Sequence, residues 1–172
     1  MINIYIIFAI IFSCTYVCLA KPPNNINNDI TGNTTGQLSF KVGSKEYTLN
    51  LELKLNYLDT LLYCHSKHME MLSLETEAEN NAVFNILDKL LTGKQDDYKF
   101  WTSAIRSKNI WYWMTNGAAI SYFKWESPSE TSSNQMLLSY TYGHRISADN
   151  WWKTDVIDRH GSVICESSSV TN

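Results

Sequence analysis

The sequence predicts an α+β domain. Three observations carry that expectation: a period-two alternation at Leu51-Glu52-Leu53-Lys54-Leu55, two helix-like stretches between residues 56 and 93, and a series of short aromatic segments after Gly93. Strand, two helices, then many strands is the order of an α+β fold. The 172 residues are 44% apolar and 18% charged, enough for one globular domain with its own core. A net charge of −3 with Lys and Arg unclustered gives no basic field for nucleic acid.

Residues 1–20 contain no charged side chain, and Cys18-Leu19-Ala20 places small residues just ahead of Lys21-Pro22-Pro23. This is the pattern of a secretory signal peptide cut after Ala20. An uncleaved anchor is the competing reading, since about 20 apolar residues span a bilayer. The mature chain is therefore expected to be secreted and extracellular, without membrane insertion. Residues 21–47 are assigned to a flexible leader rich in Asn, Thr and Gly. It carries Asn33-Thr34-Thr35, the acceptor triplet for N-glycosylation at Asn33. The domain itself is placed at 48–167, with a tail at 168–172.

Alternation at 51–55 marks a half-buried strand, and 37–42 alternates similarly and is a candidate to pair with it. Asn56 suits the N-cap of a first helix, with Leu58, Leu61, Leu62 and His65 at helical spacing. Residues 69–74 read as a short strand. Thr76-Glu77-Ala78-Glu79 is a capping box, in which the hydroxyl and Glu79 each satisfy a backbone donor. Val83, Ile86, Leu87, Leu90 and Leu91 form the second helix's apolar stripe, and Gly93 supplies its left-handed stop. Segments 98–104, 110–115 and 119–125 read as strands, the last two joined by a turn at Asn116-Gly117. Residues 126–135 form a polar loop, and 137–142, Trp151-Trp152 and 162–165 are the closing strands.

Signal cleavage removes Cys14 and Cys18 and leaves Cys64 and Cys165. In an oxidising compartment one disulfide is the simplest outcome; two free buried thiols are the alternative.

An ordered set of residues then resembles the C-type lectin-like domain family. Trp101-Thr102-Ser103-Ala104 is similar to that family's Trp-Ile-Gly-Leu core, with Ala104 in place of Gly. Trp111-Tyr112-Trp113, followed by Tyr122 and Trp125, resembles its Trp-x-Trp hairpin, and Val163-Ile164-Cys165-Glu166 its Phe-Ile-Cys-Glu end. The likeness covers about residues 48–167, and secreted insect members resemble the chain most in flavour. It implies two helices, two small antiparallel sheets, paired N- and C-terminal strands, an outer disulfide from Cys64 to Cys165, and a long loop carrying the binding site.

Sugar-binding members of that family hold calcium with a Glu-Pro-Asn or Gln-Pro-Asp triplet, a further Glu and a Trp-Asn-Asp triplet. Here the first triplet reads Ser127-Pro128-Ser129 and the second Trp152-Lys153-Thr154, while Gln135 is nearest to the further Glu. Calcium wants six to eight oxygens, and an ammonium at a ligand position opposes it. No cofactor is therefore expected. A weak atypical site from Glu126, Glu130, Asn134 and Asp155 is the alternative. The family's inner disulfide also has no counterpart: its positions fall near Leu137 and at Ile157, both aliphatic and expected to keep the core filled.

The expected ligand-binding residues are Glu126, Ser127, Ser129, Glu130, Asn134, Trp151, Lys153 and Asp155. Trp101, Trp111, Trp113, Trp125 and Trp152 are assigned to the core, whereas Trp151 points to the opposite face from Trp152. It suits either a ligand platform or a satellite cluster with Tyr142. His65 and His68 share a helix spacing that suits a metal, but no acid completes a set, so both are read as surface histidines. No phosphate loop, nucleophile elbow or zinc-protease pattern supports catalysis. The expected function is a secreted recognition protein for a glycan or an extracellular protein. A calcium-dependent lectin with shifted ligands is the alternative, and the sequence sets no oligomeric state.

Overall fold

The computed structural model describes residues 31–32, 36–94, 97–125, 137–143 and 149–167. The signal segment, Asn33, and the candidate ligand residues Glu126, Ser127, Ser129, Glu130 and Asn134 lie outside the described residues.

Strand β1 (Thr31–Gly32) leads into a hairpin of β2 (Gln37–Val42) and β3 (Lys45–Leu55). Gly43 turns that hairpin at φ +60, a left-handed conformation that glycine adopts without steric cost. Residues 37–47 of the stretch assigned to the leader lie in this hairpin. Phe40 and Tyr47 are both buried, and their rings stack at 5.1 Å. The short alternation at 37–42 is held by its register with β3, which a local composition reading does not weigh.

Helix α1 (Tyr57–Ser66) is capped as expected, with the Asp59 N–H donating to Asn56 Oδ1 at 2.9 Å. Its inner face differs from the leucine stripe read in the sequence. Tyr57, Thr60 and Cys64 are buried, while Leu58 and Leu62 are 51% and 66% exposed. The rotation is fixed by tertiary contacts: Tyr57 packs edge-on against Trp101 at 5.6 Å, and Cys64 is bonded to Cys165. That disulfide, with a Cα–Cα distance of 5.5 Å, ties α1 to the final strand.

After β4 (Met69–Met71), helix α2 (Glu77–Leu91) starts at the capping box. Thr76 Oγ1 accepts from the Glu79 N–H at 3.1 Å, but the Glu79 carboxylate reaches the Glu75 N–H at 2.8 Å, one residue earlier than the usual partner. Val83, Ile86, Leu87 and Leu91 are buried, and Gly93 follows at φ +85.

The remaining strands are β5 (Tyr98–Ser107), β6 (Ile110–Trp113), β7 (Leu137–Gly143), β8 (Asp149–Asp155) and β9 (Gly161–Ser167). Segment 119–125 is not a strand: among the described residues its ladder pairing is confined to isolated bridges, Tyr112 to Ala119 and Trp125 to Trp152. Asn116-Gly117 does reverse the chain, with Gly117 at φ +70 and its N–H on Trp113 O at 2.8 Å. Beyond Ile120 the segment packs side chains under Trp152 in place of building a ladder.

The strand order is β1-β2-β3-β9-β5-β7-β8, with β4 on β9 and β6 on β5. This is two antiparallel blocks, joined through one parallel pair between Phe100 and Ser162. Gly161 sits at that seam, where an added Cβ would meet Lys99 O at 2.7 Å. The larger core lies between α2 and the sheet; a second, around Trp101, encloses the disulfide. Ile157 does not fill a core position: it is 41% exposed, and Val156 beside it is 50% exposed. The chain there is anchored instead by its backbone, Ile157 O accepting from Tyr57 N–H at 3.2 Å.

Candidate ligand-binding face

Strand β8 carries three of the expected ligand residues, and its alternation sorts them. Trp152 faces the core with no exposed surface. It meets Trp113, Tyr122 and Phe123 in edge contacts of 5.8, 5.5 and 6.0 Å, and its indole N–H donates to Asn80 Oδ1 at 3.2 Å. A fully buried indole with a satisfied donor is a structural keystone. Trp101 and Trp113 are likewise core, Trp111 is 8% exposed, and Trp125 is half-buried against Trp111.

Trp151 points the other way. It is half-buried, and among the described residues its enclosed Nε1 has no hydrogen-bond partner. A donor left in this state costs free energy until something accepts from it. Lys153, two residues on, is half-buried and stands opposite Ser139 of β7. Trp151 and Lys153 therefore share a face of the β7–β8 pair.

Asp155 closes the strand and is 5% exposed. Lys99 Nζ donates to its Oδ2, Arg159 Nε donates to Oδ1 at 2.9 Å, and the Val156 N–H donates to Oδ1 at 2.9 Å. Both carboxylate oxygens are thus engaged inside the chain. Burial lowers the Lys99 pKa below the ordinary lysine value; Asp155 offsets part of this, while Lys153 and Arg159 add to the lowering. Two cations thus hold one carboxylate, and a third, Lys153, adds its charge near Lys99. Such surroundings do not fit a divalent cation, which would have to displace Lys99 and Arg159 and then meet their charge. Among the described residues no group of three or more His, Cys, Asp or Glu is placed to hold a metal. His65 pairs with Glu70 at 3.4 Å on the surface.

Lys99 and Arg159 were not among the residues the sequence singled out. Two signals were present. Lys99 lies between Tyr98 and Phe100 in an otherwise buried strand, where a charge needs a partner. Asp155 and Arg159 are spaced i, i+4.

The two antiparallel blocks, the two helices and the disulfide joining α1 to the last strand define the C-type lectin-like fold, and comparison with solved structures agrees. Human lithostathine is 21% identical, with a TM-score of 0.63 over 81% of this chain and 92% of that one. The Ca²⁺-independent C-type lectin SPL-2 from Saxidomus purpuratus is 18% identical, with a TM-score of 0.62 over 77% and 93%. The mouse scavenger receptor C-type lectin carbohydrate-recognition domain is 18% identical, with a TM-score of 0.59 over 76% and 95%. At these identities the likeness is one of fold. No family model and no curated protein matches the sequence.

Proposed function

We propose that this chain is a secreted, lectin-like recognition protein that binds a glycan or an extracellular protein without calcium, through the region from Glu126 to Asp155. One observation carries the reading: within a C-type lectin-like fold, Asp155 is already clasped by Lys99 and Arg159. An internal ammonium and guanidinium do there what a dication would otherwise do, neutralising a buried carboxylate. SPL-2, described as Ca²⁺-independent, is a lectin of similar fold. On the outer side of β8, Trp151 offers a partly exposed aromatic surface, and Lys153 a cation beside it. Among the described residues no helix is long and apolar enough to cross a membrane. Glycosylation at Asn33 belongs to the same secreted reading.

The test is thermal melting with excess calcium and then with chelator, alongside a glycan array run in chelator. A ligand at about 100 times its dissociation constant adds about 2.7 kcal/mol. The proposal expects no shift with calcium and retention of ligand in chelator. A rise of several degrees that chelator reverses, with sugar retention lost, would establish the calcium-dependent alternative instead.

A further inference from the structure

On the far side of Trp125 from β8, a hollow of about 300 Å³ opens beside the β5–β6 turn. We propose that it is a second binding site, for a sugar ring bearing a carboxylate or sulfate. The site shares no residue with the face around Trp151 and Lys153, and it does not depend on how that face is used.

Its floor is aromatic. Trp111 and Trp125 lie 5.7 Å apart at a tilt of 53°, and Phe123 stacks on Trp125 at 5.1 Å. Its rim is cationic. Arg106 stands directly opposite Trp111 in the ladder, so guanidinium and indole share a face. Arg106 Nη2 donates to Asn109 Oδ1 at 2.9 Å, which orients the planar head and, among the described residues, uses one of its five donors. Asn109 and Lys108 hold φ values of +65 and +48, a tight turn built from two non-glycine residues. Among the described residues lining the hollow, none is acidic.

The chemistry of the occupant follows. A ligand lying on the indoles covers Arg106, and covering a guanidinium without an anion is costly. The occupant therefore brings an acid, which the planar head accepts bidentately. The volume is at the lower end for small-ligand pockets, the scale of a sugar unit rather than of a folded segment. Strand addition by an acidic peptide is disfavoured, because the outer edge of β6 is already taken: Ile120 N–H donates to Trp111 O at 2.8 Å and Trp113 N–H to Ala118 O at 3.0 Å.

The experiment is an NMR titration of the labelled protein in chelator, using a hexuronic-acid disaccharide, a sulfated monosaccharide and a neutral disaccharide. The acidic sugars are expected to move the Trp111 and Trp125 indole signals saturably, with the neutral sugar at least about tenfold weaker, equivalent to about 1.4 kcal/mol. Comparing the two acidic probes shows which anion is preferred. Arg106→Gln should weaken binding about tenfold. Asn109→Gly keeps the left-handed turn but removes the anchor, so it should weaken binding several-fold in a folded chain. Lys153→Gln should change nothing here. Equal affinity in Arg106→Gln, no response to any of the sugars, or a response centred on Trp151 and abolished by Lys153→Gln would each overturn the site.

Discussion

Two charge clusters in this molecule solve the same electrostatic problem with opposite arithmetic. Where β3, α2 and β9 meet, Lys45 Nζ lies 2.8 Å from Glu79 and 3.4 Å from both Glu75 and Glu166: one cation among three carboxylates. Tyr47 OH adds a donor to Glu79 at 2.6 Å, and the Ser73 N–H one to Glu166 at 3.0 Å. Where β5, β8 and the following loop meet, Asp155 is a single carboxylate shared by Lys99 and Arg159. The first arrangement is short of positive charge, the second of negative. Charge balance tells the two clusters apart more sharply than burial does: the acid-rich one takes up a proton at Glu166, while the other neutralises its single carboxylate with two cations.

The largest expected effect is on the staple beside the acid-rich cluster. Replacing Cys64 and Cys165 together by Ala should cost about 4–5 kcal/mol in the chain-entropy model, read by denaturant unfolding. A loss under about 1 kcal/mol would mean the two sheet blocks hold α1 without it.

Lys45→Met should cost about 3 kcal/mol, because the three carboxylates lose their shared cation. The pH dependence sharpens this. Burial pushes the Glu166 carboxyl from 4.5 up to about 7, with Lys45 and the Ser73 N–H opposing. The folded chain thus keeps a proton that the unfolded chain loses above 4.5. The stability this gives is fully present at acid pH and lost as pH rises to about 7, at up to ~1.4 kcal/mol per unit. Glu166→Gln should flatten that slope, and Lys45→Met should be most damaging on its alkaline side. A wild-type stability that rises across the window would show that Lys45 dominates Glu166.

Asp155→Asn is expected to cost about 2 kcal/mol, less than Lys45→Met, because Arg159 is largely exposed and Lys99 already sits below the ordinary lysine range. Urea unfolding measures the loss, and a cost above that of Lys45→Met would reverse the ranking of the two clusters. Smallest of all, Leu62→Glu should stay within about 0.5 kcal/mol in a thermal melt, as its 66% exposure requires. A severe loss there would restore the leucine stripe as the inner face of α1.

Much of this architecture was legible from the chain alone. The Asn56 and Thr76 caps, the α2 stripe, the Gly93 stop and the Asn116-Gly117 reversal are local, because each depends on backbone donors and neighbours within a few residues. The resemblance to C-type lectin-like domains placed the core tryptophans and the Cys64–Cys165 pair. Of the expected ligand set, Trp151, Lys153 and Asp155 fall among the described residues, and their alternation with Trp152 was readable because a strand has period two.

Other features were settled only by packing at long range. Which side of α1 turns inward was decided by Cys165 and Trp101, far off in sequence. Segment 119–125 reads as a strand but is not one, because its side chains serve Trp152. Asp155 looked in sequence like a group to offer a ligand; in the fold its oxygens are consumed by Lys99, Arg159 and Val156. A sequence records which charges exist, but only the folded chain sets which of them lie within a few ångströms, and at low dielectric that distance decides whether a carboxylate is a ligand or a latch.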